Sequence, residues 1–415
     1  MNRRNFLKIG MAAGTTLLLP AQFAWAAKNG TPPKRLIVVM LRGAIDGLSV
    51  VVPYAEDNYY RLRSSIAIAK PGDTDGALDL DGRFGLHPAL EMLMPFWQQK
   101  QLAFIQASGS TDPTRSHFEA QAYMETGQPG VKRASDGWMN RLLGFMPDEK
   151  SVLQAVSLGP MLPRIFSGVQ DVSTVPLGRQ AGRATVMDKP GINAAFDRMY
   201  EDSDALSAAY RQGRKSREQV LSDLNSDPVS PESNVADNGA PPPAGFALDA
   251  SQLAILVRRN PGMQLAFAQL GGWDTHVGQG GAKGQLANRL RSLGQGLKTL
   301  ASDLGPEWSH TVVVVMSEFG RTARQNGTNG TDHGHGNAMW VMGGPVAGGK
   351  VYGEWPGLDD AQLHEGRDLA ITTDFRSVLT EICERHLQVD SERLAAVFPN
   401  APKTPASILN RLIGA

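Results

Sequence analysis

Six short runs dense in β-branched and large apolar residues recur along the chain, and they constrain its fold more than any other feature. They are Arg35–Leu41 (RLIVVML), 102–106 (LAFIQ), 152–158, 264–270 (QLAFAQL), 311–316 (TVVVVM) and 338–342 (AMWVM). Most are nearly continuous apolar runs with one or two polar residues, which is the pattern of strands buried on both faces. Helical stretches separate many of them: 88–100, His117–Thr126, 136–145, Gln285–Leu304 and 373–387. Strands alternating with helices predict an α/β fold, a mostly parallel central sheet sandwiched by helices. Residues 191–225 are polar and helix-forming. The following stretch, 226–245 (NSDPVSPESNVADNGAPPPA), has no periodicity and reads as a mobile surface loop. Strand signals flank it on both sides, so residues 27–415 read as a single domain.

Composition narrows the class. The 415 residues carry 41 basic and 41 acidic side chains, with 41% hydrophobic residues. A core of this size needs no disulfide or structural metal. The lone Cys383 sits in an apolar helical pattern and reads as a core thiol. Residues 1–26 (MNRRNFLKIGMAAGTTLLLPAQFAWA) hold three cations and no acid. Without them the balance is 38 basic against 41 acidic residues. No basic stripe is present, which disfavours nucleic acid as a partner. The leader has Arg3-Arg4, a short apolar run and a small-x-small cleavage site at Ala24-Trp25-Ala26. That pattern predicts twin-arginine export, a periplasmic or secreted location, and no integral membrane segment in the mature chain.

The short acidic and histidine motifs collect just after the predicted strands, where ligands bind in open α/β sheets. RLIVVML leads to RGAIDGLS with Asp46. LAFIQ leads to ASGSTDPTRSHF. QLAFAQL leads to GGWDTH with Asp274 and His276, and TVVVVM leads to SEFGRT with Glu318. The GTNGTDHGHG loop brings Asp332, His333 and His335 to the start of AMWVM. Carboxylates and imidazoles are the donors for zinc, manganese or iron, and carboxylates also suit calcium. An Asp and a His two apart on an extended segment point the same way, as do His333 and His335. Several acids together can hold one or two ions. Each motif also has a plainer role. Asp46 could shape a turn, and Glu318 could pair with Arg321 at the surface. Ser116 could form a capping box with Glu119 or be a nucleophile at a helix start. Arg115 could grip an anionic group, and His117 could be a ligand or proton donor. His87, His310, His364 and His386 read as structural or surface residues.

RGAIDGLSVVVPY, DPTRSHFEAQAYMETG, GGWDTH, SEFGRT and TDHGHG, in this order behind a twin-arginine leader, resemble one bacterial family: the domain-of-unknown-function family numbered fifteen hundred and one. The resemblance implies an alkaline phosphatase/sulfatase-like sandwich with a bimetal site. It implies Asp46, Asp274, His276, Glu318 and His333 or His335 as ligands, with a hydroxyl nucleophile among residues 111–117. Thr111 matches a sulfatase-like x-x-P-x-R pattern, while the helix start favours Ser116. Phe319 departs from the resemblance, since a histidine often follows the acid there. The expected activity is metal-dependent hydrolysis of anionic phosphate or sulfate esters. The alternative is a non-catalytic metal- or glycan-binding protein or assembly factor on the same fold.

Overall fold

The computed structural model describes residues 33–147, 151–178, 181–182, 184–224, 235–402 and 411–414. The expected export leader lies outside these residues, as do positions 226–234 of the expected loop.

Nine strands form the main sheet: β1 Arg35–Leu41, β2 Leu102–Gly109, β3 Ala155–Leu158, β4 Ser173–Val175, β5 Leu265–Leu270, β6 Thr311–Ser317, β7 Asn337–Gly343, β8 Lys350–Tyr352 and β9 Thr373–Asp374. Their order is β8-β2-β7-β6-β1-β5-β3-β4, with β9 also beside β2. β1 pairs in parallel with β5 and β6, and the other neighbours are parallel too, except β7. That strand runs antiparallel to both β6 and β2. The ends of β1, β2, β5 and β6 therefore share one rim with the start of β7. All five stretches that carry the expected site residues emerge there.

Alternation along β1 explains why its sequence is apolar at every position from Leu36 to Leu41. Ile37, Val39 and Leu41 enter one core layer, and Leu36, Val38 and Met40 enter the other. The first layer packs against α3 (Phe246–Arg259) and α4 (Gln285–Leu304). The second packs against α2 (Trp138–Leu143), α5 (Phe375–Arg385) and α6 (Ser391–Val397). In α4 the buried Leu286, Leu290, Leu293, Leu297, Leu300 and Leu304 recur at three- and four-residue spacing, a single helical face. Gly296 lets that face meet α3, because a Cβ there would lie 2.2 Å from the Phe246 ring.

Several boundaries differ from the sequence reading. The 88–100 helix is a 3₁₀ segment, Pro88–Leu93, kinked at Leu90 and followed by a short helix, Met94–Gln98. Pro95 lacks the N–H that a continuous helix would need. The expected 373–387 helix starts two residues late, at Phe375. Asp374 caps it by accepting the Arg376 N–H, and Thr373–Asp374 pair with β2. Residues 235–245 form two 3₁₀ turns with Asp237, Ala240 and Pro243 buried, and Asp237 accepts the Gly272 N–H. Helix α3 was not anticipated.

Candidate metal centre

Glycines let the rim loops approach one another. β1 ends at Leu41, and Gly43 turns the chain with φ +109°. A Cβ there would lie 2.7 Å from the Asp274 backbone nitrogen, so only glycine fits the contact between these loops. α1 (His117–Thr126) begins at the same rim, with Ser116 as its extended N-cap residue.

Three imidazoles converge here, each held from behind. His117 Nδ1 lies 2.8 Å from Glu318 Oε1, His276 Nδ1 2.9 Å from Asp332 Oδ1, and His333 Nδ1 2.9 Å from the Arg115 carbonyl. These acceptors place the proton on Nδ1 of each ring and turn each Nε2 inward. His117 Nε2 and His276 Nε2 both lie 3.0 Å from His333 Nε2. Asp274 Oδ1 lies 3.0 Å from His276 Nε2 and 3.3 Å from His333 Nε2, and its Oδ2 lies 3.6 Å from His117 Nε2. Bare lone pairs facing at such distances repel, so a proton or a cation belongs between the rings. In the metal-free chain a proton serves. Burial opposes charge on His117, but Asp274 and Glu318 outweigh it and push its pKa up to about 9. Burial would raise the Asp274 pKa, yet contacts from His117, His333, Arg321 and His276 hold it far below the usual range.

A divalent ion is the other way to fill the same space. His117, Asp274 and His333 offer ligand atoms all within 4.8 Å of one another, and His276 adjoins them. Nitrogens around one tetrahedral zinc lie roughly 3.3 Å apart, given bonds of about 2.0–2.1 Å. The donor set fits.

The remaining expected site residues lie around this cluster or away from it. Asp46 is fully buried and forms a two-pronged ion pair with Arg63, at 2.6 and 2.9 Å. Glu318 is also fully buried rather than at the surface. Its Oε1 accepts from the Gly43 N–H and Gln121 Nε2 as well as His117. Burial would raise its pKa, but the contacts from His117 and Gln121 lower it. Arg321 pairs with Asp274 Oδ1 at 2.7 Å instead of with Glu318, and donates to the Ala44 carbonyl. Asp332 is half-exposed and holds His276 from outside. His335 stacks on His364, with ring centroids 4.4 Å apart. Arg115 is committed to Asp368 at 2.6 Å and Glu365 at 2.7 Å. Ser116 and Thr111 are exposed, and the Ser116 side chain makes no cap bond. The expected capping box is absent because Glu119 binds Thr114 and Lys132. Phe319 backs the cluster, its ring centroid 5.0 Å from His117 and 5.3 Å from His333. The parts missed by sequence are Arg63, Gln121 and the Arg321–Asp274 pair. Gln121 and Arg321 lay inside motifs that could have signalled them, DPTRSHFEAQAYMETG and SEFGRT, and Arg63 lay outside any.

A family model described as "Protein of unknown function (DUF1501)" matches residues 33–398. The chain belongs to this family. No curated protein matches it by sequence. Among solved structures it is similar to the C-terminal periplasmic domain of EcEptC from Escherichia coli, with TM-score 0.40 and 11% identity over 91% of this chain and 89% of that one. It is also similar to BT1596, a 2-O GAG sulfatase, with TM-score 0.38 and 10% identity over 90% and 76% of the two chains. A protein in the alkaline phosphatase superfamily from Vibrio parahaemolyticus gives TM-score 0.37 and 12% identity over 85% and 71%. These likenesses are distant. Among the described residues no helix is long and apolar enough to cross a membrane.

Proposed function

We propose that this protein is an exported, metal-dependent hydrolase of phosphate or sulfate esters. One observation carries the reading: three Nε2 atoms, each with its Nδ1 anchored, converge on Asp274 at an open rim. His117, Asp274, His276 and His333 would hold the ion. Three imidazoles favour zinc, manganese or iron over calcium, which prefers oxygen donors alone. When bound, such an ion supplies Lewis-acid stabilisation of developing charge and lowers the pKa of a hydroxyl or water.

The chain's own residues do the rest. Glu318, Asp332 and the Arg115 carbonyl orient the three rings. Arg321 fixes Asp274 from the buried side. Ser116, exposed beside His117 and free of a capping bond, is the favoured nucleophile, with Thr111 as the other candidate. Arg115 acts in position, through its carbonyl, rather than as a clamp on the ester. That last point also supports the alternative of a non-catalytic metal- or glycan-binding protein or assembly factor: the cation expected to grip substrate is spent on Asp368 and Glu365.

The test combines elemental analysis of the purified protein with turnover of p-nitrophenyl phosphate and p-nitrophenyl sulfate. Metal-dependent turnover, abolished in His276→Ala and strongly reduced in Ser116→Ala or Thr111→Ala, is expected. Bound metal with no turnover across an ester panel would favour the non-catalytic alternative. Protein that binds no divalent ion would overturn the hydrolase reading and the metal-binding form of the alternative.

A further inference from the structure

Seven acids and histidines were expected to ligate one ion or two. Asp274, His276 and His333 converge, joined by His117. Asp46, Glu318, Asp332 and His335 do not, and Asp46 departs furthest from a ligand's surroundings.

Both oxygens of Asp46 are occupied. Oδ2 accepts from Ser49 Oγ at 2.7 Å, Arg63 Nη1 at 2.6 Å and Gln279 Nε2 at 2.6 Å, and Oδ1 accepts from Arg63 Nη2 at 2.9 Å. Arg63 is equally complete. A guanidinium has five N–H donors, and here five acceptors meet them. Nε reaches the Ala323 carbonyl, Nη1 reaches Asp46 and Ser49, and Nη2 reaches Asp46 and the Thr322 carbonyl. Both side chains are fully buried. A metal ion at Asp46 would face a fixed positive charge and would have to displace a fully buried guanidinium from both carboxylate oxygens. Among the described residues no second group of acids and histidines gathers at ligand spacing. Glu318 accepts at Oε1 from Gly43, Gln121 and His117 and at Oε2 from Ser317 Oγ, and Phe319 follows it.

The pair nevertheless reaches the cluster. Gln279 donates to Asp46 and accepts, through Oε1, from Thr275 Oγ1 and Thr331 Oγ1, both at 2.8 Å. Thr275 stands between Asp274 and His276, and Thr331 lies two residues before His333. One amide thus ties the two ligand loops to the Asp46–Arg63 pair.

We infer that the protein holds one ion per chain, and that Arg63 is the permanent counter-cation of Asp46 where a second ion would otherwise sit. Asp46 is a positioning residue that aligns the ligand loops through Gln279. This rests on the reading of the imidazole cluster as a metal site, and the experiment separates the two claims.

Purified protein is loaded with Zn²⁺ or Co²⁺, freed of excess ion by gel filtration, and its metal counted per chain. One ion is expected. Asp46→Asn is expected to retain one ion and the position and intensity of the Co²⁺ visible absorption bands, with weakened affinity. His276→Ala is expected to change those bands or lose the ion. Two ions in the unaltered protein, or a folded Asp46→Asn whose Co²⁺ bands shift to a different coordination number, overturns the inference. If Asp46→Asn does not fold, the count in the unaltered protein still decides. No ion at all in the unaltered protein overturns the metal reading itself, and this count with it.

Discussion

Glu318 Oε1 accepts three hydrogen bonds, and one of them sets the tautomer of His117. Glu318→Gln keeps the side chain's shape but removes the charge that holds Nδ1–H in place. Loss of such an outer partner weakens metal affinity by about 10–100-fold, and calorimetric titration with Zn²⁺ should show a drop of that size. An unchanged affinity would mean that the carboxylate does not orient the ring. At this scale the sequence marked the residue but not its partner. Glu318 was expected as a ligand or a surface ion-pair member, and in the fold it is buried and holds His117 from behind. Nothing in SEFGRT distinguishes these roles, because the distinction is which atom lies 2.8 Å away.

Loops carry the proposed ligands, and glycines set how closely the loops lie. The 326–331 turn rests on the GGWDTH segment: a Cβ on Gly330 would fall 2.2 Å from the His276 carbonyl oxygen and 2.6 Å from that of Thr275. Both obstacles are backbone, so Gly330→Ala must push the His276 loop aside. Zn²⁺ affinity is expected to fall while the far-UV circular dichroism stays that of the unaltered protein. Full retention of affinity would show that the loops adjust without moving His276. Glycine-rich sequence marked these stretches as loops, but not which loop each would touch. Similarly, β7 was recognised as a strand from AMWVM, yet its antiparallel run between two parallel neighbours came only with the fold. That direction delivers the 332–335 loop to the same rim as the ends of β1, β5 and β6.

Over the whole molecule, two buried histidines outside the imidazole cluster couple stability to pH. His87 Nδ1 accepts the Ala89 N–H while Nε2 faces the Gly281 carbonyl, and His386 Nε2 donates to the Arg35 carbonyl. Burial lowers both pKa values to about 4. The unfolded chain takes up these protons near pH 6.5 and the folded one only near 4. Their stabilising contribution is therefore complete above pH 6.5 and fades as pH falls toward 4. Each is worth up to roughly 3 kcal/mol. Urea unfolding across pH 4–7 should show this decline, and His386→Gln should flatten it; a profile that is level over that window would contradict the assignment. A bound ion adds a separate term. At a hundredfold excess over Kd, a ligand specific for the folded state contributes about 2.7 kcal/mol. Thermal unfolding with Zn²⁺ should move upward accordingly, and in His276→Ala it should not.

The sequence alone determined the layered α/β plan, since runs such as TVVVVM can be satisfied only by burial on both faces. It also determined that acids and histidines gather at strand ends. Only the tertiary structure decided which of them share a centre. Asp46 and Asp274 look alike in one dimension, each just past a buried strand and beside glycines. In the fold, the Arg63 guanidinium takes both oxygens of Asp46, whereas Arg321 takes only Oδ1 of Asp274 and three imidazoles face that carboxylate. A carboxylate's role is set by which groups surround its two oxygens, and those neighbours are chosen by strand order and loop contact across hundreds of residues, beyond the reach of local pattern.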